Sequence, residues 1–405
     1  MLRHDFRLLL LGQITSQFGA QISAIALPLL AVVMLGAGPF EVGLISASST
    51  AAFALIGLQA GAWVDRLPRR PILVAADLAR AVLLSTIPLA ALLDVLGIAQ
   101  LVVIAVLTGF ARVFFDVAYQ SYLPTVVGKD RVLAGNSFME TIRASGQFAG
   151  PGLGGWLISV VGAATVIFVQ AATLLISALC LLGIRATEAP VTAVRRGLRR
   201  EVVEGLIFVR SNRVLLALAW ASGVCNFTFA LASAVTIVFM AQELRMSATV
   251  IGLVMAASAL ASMAGAAMTP WLGRLVGSAR IVWLALIVPA PLGFIPPFVN
   301  PGWLGIALLI VSFAAGELGQ IVYSISALSL RQRLCPDRLL GRVNATMRFL
   351  IMATFPFGAL IGGALGEMVG LRAALLIICV VGLLAPLPAY LVLRGTHHVE
   401  DLHPW

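Results

Sequence analysis

Apolar stretches with no polar face recur along this chain: residues 101–108 read LVVIAVLT and residues 373–384 read AALLIICVVGLL. A surface element of a soluble protein shows water one polar face, so runs of this kind in quantity belong in hydrocarbon. Composition agrees where it matters. Charged residues make up 11% and the apolar set 60% of 405 residues, against roughly 25% and 45–50% in soluble domains, too little polarity to coat a body in water. A β-barrel is excluded, because its strands alternate apolar and polar over about 10 residues. At about 20 residues per bilayer crossing the chain holds on the order of a dozen helices and no large soluble domain.

Gly, Pro and charge clusters punctuate twelve predicted spans, near 7–35, 40–64, 71–93, 97–124, 132–161, 163–184, 213–241, 247–272, 279–298, 302–331, 339–366 and 370–393. The net charge of +10 suggests nucleic acid only until the basic residues are placed on this map. With the N-terminus inside, only Arg245 and Arg372 fall outside and Arg80, Arg112, Arg143 and Arg348 fall within spans; the other 21 of the 27 Lys and Arg are cytoplasmic. That bias predicts a multi-pass cell-membrane protein with both termini in the cytoplasm and no nucleic-acid partner. The first apolar stretch is too long for a cleavable signal and has no small-residue cleavage site, so it is expected to insert as an anchor. Cys180, Cys225, Cys335 and Cys379 are too scattered for a disulfide framework or a zinc site.

One polar interruption, 185–212, carries Arg195, Arg196, Arg199, Arg200, Glu201 and Glu204 and reads as a cytoplasmic linker ending in an amphipathic helix on the anionic inner leaflet. The expected organisation is a six-helix bundle over 1–184, this linker, a second bundle over 213–394 and a cytoplasmic tail over 395–405. Repetition supports the division: at a constant offset of 208, Arg66-Leu67 matches Arg274-Leu275, Asn136 matches Asn344, Met139 matches Met347, and Gly154-Gly155 matches Gly362-Gly363. Two related halves around a cavity permit alternating access.

The stretch Gly61-Ala-Trp-Val-Asp65-Arg66-Leu-Pro-Arg69-Arg70, between spans two and three, resembles the loop signature G-x-x-x-D-R-x-x-R-R of the major facilitator superfamily, with Pro68 where that family usually has Gly. Span five carries Gly146-x-x-x-Gly150-Pro151-x-x-Gly154-Gly155, similar to the antiporter motif of the same superfamily; Gly150-Pro151 permits a bend and the glycines a close helix approach. Phe114-Phe115-Asp116 through Pro124, followed by Ala134-Gly135-Asn136, resembles the branch containing the enterobactin exporter and macrolide-efflux proteins. The resemblance implies an all-α membrane fold of twelve helices in two pseudo-symmetric bundles. It implies proton-driven export of a small drug-, macrolide- or siderophore-like molecule by a monomer without cofactor or metal. In that family the loop latches the cytoplasmic side, which assigns Asp65, Arg66, Arg69 and Arg70 to gating, with Asp77 and Arg80 extending the network.

Ionisable residues within spans carry the chemistry, because each is costly in hydrocarbon unless paired or hydrated. Arg112 and Asp116 lie four apart, Glu140 and Arg143 three apart, so each pair shares a helix face. Arg112 and Glu140 sit at a similar depth, about 15–20 Å from the 125–131 loop, and are predicted to pair across helices. The second half offers Glu317 and Arg348, the latter in the place of Glu140 at the 208 offset. Asp116, Glu140 or Glu317 is expected to exchange protons; the plainer alternative is a static pair that holds helices together. Gln13, Gln17 and Gln21 form a polar stripe on span one and read as cavity-lining, with helix–helix hydrogen bonding as the alternative. Asn226, Gln320 and Ser324 are further cavity candidates, and Phe110, Phe114, Phe115 and Tyr119 an aromatic wall for a lipophilic ligand.

An ATP-driven pump is excluded, because the only lysine, Lys129, is followed by Asp130 and completes no Gly-Lys-Ser/Thr motif. Neither H-E-x-x-H nor G-x-S-x-G occurs, so enzyme chemistry has no motif. His397, His398 and His403 read as a solvated tail rather than a metal site. A proton-coupled uptake symporter, a lysophospholipid transporter and a non-transporting sensor remain as alternatives.

Overall fold

In a bilayer every backbone N–H and C=O must be satisfied within the chain, and the observed structure is accordingly helical throughout. The computed structural model describes residues 2–64, 66–128, 132–186, 188 and 206–396. Asp65, Lys129, most of the linker and the tail histidines lie outside the described residues. The helices are α1 (Leu2–Ser23), α2 (Ala26–Leu35), α3 (Pro39–Val64), α4 (Arg69–Leu92), α5 (Ile98–Val127), α6 (Val132–Val161), α7 (Ala163–Gly183), a short α8 over 206–211, α9 (Arg213–Val238), α10 (Ala248–Val276), α11 (Ile281–Ile287), α12 (Ala290–Gly293), α13 (Trp303–Leu334), α14 (Asp337–Val369), α15 (Leu371–Gly382) and α16 (Leu387–Leu393). No strand occurs among the described residues.

Eleven segments among the described residues are long and apolar enough to cross a membrane, and only 22–50% of each apolar window is buried inside the protein. The remaining apolar surface requires a lipid solvent. The long helix α6 is absent from that set; its glycines, Gln147 and Pro151 dilute its hydropathy even in its most apolar stretch.

Three predicted spans are broken, and proline accounts for each. Pro28 has no N–H for the carbonyl of residue 24, and the helix turns at residues 24–25 between α1 and α2. Pro289 and Pro291 divide span nine into α11 and α12 ahead of a 3₁₀ turn over Pro296–Phe298, and Pro386 and Pro388 separate α15 from α16. Span seven ends instead in a π-helical turn, Phe239–Glu243. Asn212 caps the start of that span, its side-chain oxygen accepting from the N–H groups of Val214 and Leu215 at 3.0 Å each.

The chain forms two compact units: Met1–Arg195 with Met246–Ala256, and Arg196–Arg245 with Ala257–Trp405. In the first, α1 packs on α6 and α7, α4 on α5 and α7, and α3 on α5, around Leu9, Phe115, Tyr122 and Leu181. In the second, α9 packs on α14, α15 and α16, and α11 on α13, around Leu215, Tyr323, Leu330 and Leu393. Tyr323 is fully buried because its hydroxyl donates to the Leu218 carbonyl at 3.1 Å and lies 2.7 Å from Ser222.

Small residues set the closest approaches. A β-carbon on Gly154 would overlap the Ile22 carbonyl, and one on Gly362 the Leu231 carbonyl. The hairpins α6–α7 and α14–α15 both turn on a glycine at φ 83°, Gly162 and Gly370, a left-handed conformation that costs other residues. Gly154→Val or Gly362→Val should therefore destabilise the fold by about 1–3 kcal/mol. Gly223→Ala, where nothing lies within 4 Å of an added β-carbon, should change stability by less than about 0.5 kcal/mol. Thermal unfolding of the purified protein in detergent checks the contrast.

Candidate functional site

The signature loop begins in the last turn of α3, where Gly61 lies, and runs through exposed Arg66, Leu67 and Pro68 into α4. The first N–H groups of a helix have no internal partner and attract negative charge. Glu188 meets that need: its carboxylate oxygens accept from the backbone N–H of Arg69 at 2.7 Å and of Arg70 at 2.8 Å, with the Arg69 guanidinium 3.9 Å away. The Arg70 side chain turns to the opposite kind of terminus, donating from Nε to the Leu181 carbonyl at 2.9 Å and from Nη2 to that of Leu182, at the end of α7. Asp5 of α1 accepts from the Arg185 N–H at 3.2 Å. Every one of these partners belongs to the first unit. Sequence reading missed Glu188 because it lies more than a hundred residues from the motif it caps.

Four charges of the first unit gather where α4 packs on α5. Asp77 is fully buried and Arg80 is 9% exposed; Arg80 Nη1 donates to Asp77 Oδ1 at 3.4 Å. The buried Ser177 hydroxyl of α7 lies within interaction range of the Asp77 carboxylate, but neither it nor Asp77 Oδ2 completes a hydrogen bond of good geometry among the described residues. Arg112 and Asp116 form the i, i+4 pair expected of them, 3.8 Å apart, both side chains more than half exposed. Asp116 lies within electrostatic reach of Asp77 and Arg80, and Arg112 within reach of Arg80. An ion pair in a low-dielectric interior recovers its desolvation cost only when its remaining polar atoms are also satisfied. Asp77 does not meet that condition.

The predicted Arg112–Glu140 pair falls on a side chain outside the described residues. Arg143 on α6 and Arg348 on α14 have exposed side chains. Glu317 is half-buried on α13 and has no ion-pair partner among the described residues; Gln320 and Ser324 follow on the same face.

Two groups assigned to a cavity by sequence also take part in helix contacts. Gln13 is buried, and Gln17 and Gln21 lie against the glycine face of α6: an added β-carbon on Gly146 would come within 3.3 Å of Gln21 Cγ, and one on Gly150 within 2.9 Å of the Gln21 carbonyl carbon. The Asn226 side chain donates to the Ile351 carbonyl at 2.7 Å and to Thr354 Oγ1 at 3.2 Å, tying α9 to α14. The antiporter-like motif itself is a close helix crossing. Pro151 remains inside α6, and Gly155 meets Gly252 and Ala248 of α10 within the first unit. Of the aromatic set, Phe115 is buried in the core and stacks on Tyr119 at 6.0 Å, while Phe114 is only partly buried and stacks on Trp63 at 5.9 Å.

Arg372, counted from sequence with Arg245 as one of two external cations, is paired. Its Nε donates to Glu243 Oε2 at 2.8 Å, its Nη1 to the Pro297 carbonyl at 2.8 Å, and its guanidinium lies 5.5 Å from the centre of the Phe239 ring. The π-helical turn of span seven supplies both Glu243 and Phe239, a local irregularity that composition does not announce.

Long apolar helices, intramembrane charges and glycine-lined crossings define an all-helical integral membrane protein, and its family and relatives make it a transport protein rather than an enzyme. The chain belongs to the Major Facilitator Superfamily, whose family model matches residues 9–316 and 219–403. It is similar to the multidrug efflux pump Tap of Mycolicibacterium fortuitum, 27% identical over 387 residues that cover 92% of each chain. It is also similar to the enterobactin exporter EntS of Escherichia coli O139:H28 (strain E24377A / ETEC), 27% identical over 371 residues covering 90% of this chain and 85% of the exporter. The solved structure of a bacterial homologue of the iron transporter ferroportin in an inward-facing state has the same fold, with a TM-score of 0.75 over 96% of this chain and 98% of the other at 17% identity.

The Glu188 cap yields a local prediction. Glu188→Ala should cost the start of α4 about 1–2 kcal/mol, so the Arg69 and Arg70 amides should exchange hydrogen roughly tenfold faster while those near Leu84 are unchanged. Hydrogen-exchange mass spectrometry of the purified chain reads both segments.

Proposed function

We propose that the protein is a proton-driven exporter of a small, lipophilic or natural-product-like molecule. In this reading twelve spans form two six-helix bundles joined by the 185–212 linker, both chain ends are cytoplasmic in the cell membrane, and the monomer works by alternating access. The names of the relatives, a multidrug efflux pump and an enterobactin exporter, support export and the substrate class. The bias of Lys and Arg supports the orientation.

The observation that carries proton coupling is the buried Asp77–Arg80 pair beside the accessible Arg112–Asp116 pair. Asp77 Oδ2 completes no well-formed hydrogen bond among the described residues. A proton placed there cancels a buried negative charge and supplies a donor toward the neighbouring Ser177 hydroxyl; its departure restores the full attraction to Arg80. Asp116, half exposed between this pair and the outside, is a stepping point for that proton. Glu317, half-buried without an ion-pair partner among the described residues, is the corresponding candidate in the second unit. Substrate movement is coupled if binding on one face of the membrane favours the protonated state and binding on the other the ionised state.

Everted vesicles containing the protein should accumulate a lipophilic dye or a catecholate siderophore when the lumen is made acid, and a protonophore should abolish the accumulation. Asp77→Asn should lower the pH-driven rate by about tenfold or more, the scale expected when an essential proton-transfer group is removed, with Asp116→Asn and Glu317→Gln tested alongside. Wild-type proton coupling in all three variants would overturn the proton-driven reading. Substrate entry against the expected direction would replace export with uptake.

A further inference from the structure

Two cavities in the second unit share one side chain. The first, about 660 Å³, is lined by Arg274 in the last turn of α10, Arg280 and Trp283 at the start of α11, and Tyr390 and Arg394 at the end of α16. Three guanidinium groups line it and, among the described residues, no acidic side chain does. Two of its donors are unspent: Arg280 Nε and Trp283 Nε1 are buried and make no hydrogen bond among the described residues. Trp283 and Tyr390 meet edge to face at 5.1 Å and form the wall between this basic mouth and the next space.

The second cavity, also about 660 Å³, continues from Tyr390 past Leu387 and Leu383 on one side and Ile287, Pro291 and Phe294 on the other. Its lining is apolar, and Ile287, Leu383 and Leu387 are each at least 40% exposed. From Tyr390 to Leu383 the groove follows the chain from α16 across the break that separates it from α15. It exists because the prolines of spans nine and twelve interrupt both helices at this level, so neither side chains nor a continuous backbone fill the space.

We propose that this pair of cavities binds one anionic phospholipid of the cytoplasmic leaflet, its phosphate seated among Arg274, Arg280 and Arg394 and one acyl chain laid in the groove beyond Tyr390. Charge selects the occupant: three cations and two open N–H donors, with no counter-charge among the described residues, call for an acceptor-only anion, and a phosphodiester with a second anionic or hydroxylated head component fits that demand. The adjoining apolar groove selects a tail, which a free inorganic anion lacks. Trp283 and Tyr390, each with an apolar body and a polar tip, match the headgroup boundary. Assignment to the cytoplasmic leaflet rests on the orientation proposed above; binding itself does not.

The full-length purified protein, stripped of lipid by detergent exchange, provides the test. Thermal shift and native mass spectrometry are followed during titration with dioctanoyl phosphatidylglycerol, dioctanoyl phosphatidylcholine and inorganic phosphate in parallel. Phosphatidylglycerol should raise Tm and add one retained lipid, with the other two weaker. Arg274→Gln with Arg394→Gln, both exposed positions, should weaken phosphatidylglycerol binding roughly thirtyfold without altering the lipid-free Tm. Trp283→Phe, which keeps the ring and removes the N–H, should weaken it further in combination. If Arg280→Gln fails to fold, the exposed double variant still decides. Equal binding of phosphatidylcholine would overturn headgroup selection, and equal binding of inorganic phosphate would reduce the site to an anion pocket. Unchanged phosphatidylglycerol affinity in the double variant would overturn the site itself. Transport is not measured, so failure here leaves proton-driven export standing, and failure of export leaves this result intact.

Discussion

Satisfying polar atoms where no water reaches is the constraint on which the rest of the structure depends. It forces the backbone into helices and confines helix breaks to places where proline has already removed a donor. It also explains the side chains found at the exposed ends. Glu188 supplies acceptors to the first N–H groups of α4, Arg70 supplies donors to the last carbonyls of α7, and Arg372 closes on Glu243 and the Pro297 carbonyl where three elements of the second unit converge. Not every buried polar atom is satisfied among the described residues: Asp77 Oδ2, Ser177 Oγ, Arg280 Nε and Trp283 Nε1 make no hydrogen bond, and Asp77 is the fully buried carboxylate of that group. Buried polar groups are paired in most folds, so atoms left open mark places where a proton or a ligand can act.

Helix limits were legible because apolar runs and their punctuation set them directly: α6 and α3 fall within one residue of the ends expected from sequence. The interruptions inside spans one, nine and twelve were not. Pro88, Pro124, Pro151, Pro270 and Pro356 stay within unbroken helices, so residue type alone does not distinguish a tolerated proline from one that ends a helix. Neighbouring packing decides that. Charge pairs divide the same way. Arg112–Asp116 follows from helical spacing, whereas Glu188 and Glu243 find partners 118 and 129 residues away, beyond any local pattern. The glutamine stripe of span one was visible as a face, but hydropathy does not say whether a face meets water or glycine; Gln21 meets Gly146 and Gly150.

The internal repeat is preserved in packing more than in chemistry. Gly150 and Gly154 seat α6 on Gln21 and Ile22 of α1; Gly358 and Gly362, 208 residues later, seat α14 on Phe227, Ala230 and Leu231 of α9. The turns at Gly162 and Gly370 share both the offset and the dihedral. Close approach of two backbones tolerates almost no side chain, so these positions are held by geometry and survive divergence of everything around them.

The ionisable groups within the spans, by contrast, are not repeated. The positions equivalent to Asp77, Arg80, Arg112 and Asp116 are Ala285, Val288, Gln320 and Ser324, and the position equivalent to Glu317 is Gly109. Of the basic mouth in the second unit, only Arg274 has a basic counterpart, Arg66; Arg280, Trp283, Tyr390 and Arg394 correspond to Ile72, Ala75, Leu182 and Ala186. Two identical charge sets would give both units the same response to a proton or to an anionic surface. In the proton-driven reading proposed above, the unequal distribution over a common glycine framework gives the two units different responses to a proton, the buried Asp77–Arg80 pair in the first and Glu317 in the second. That reading requires the proton to favour one conformational state over the other, because a ligand shifts an equilibrium only by the difference in its affinity for the two states.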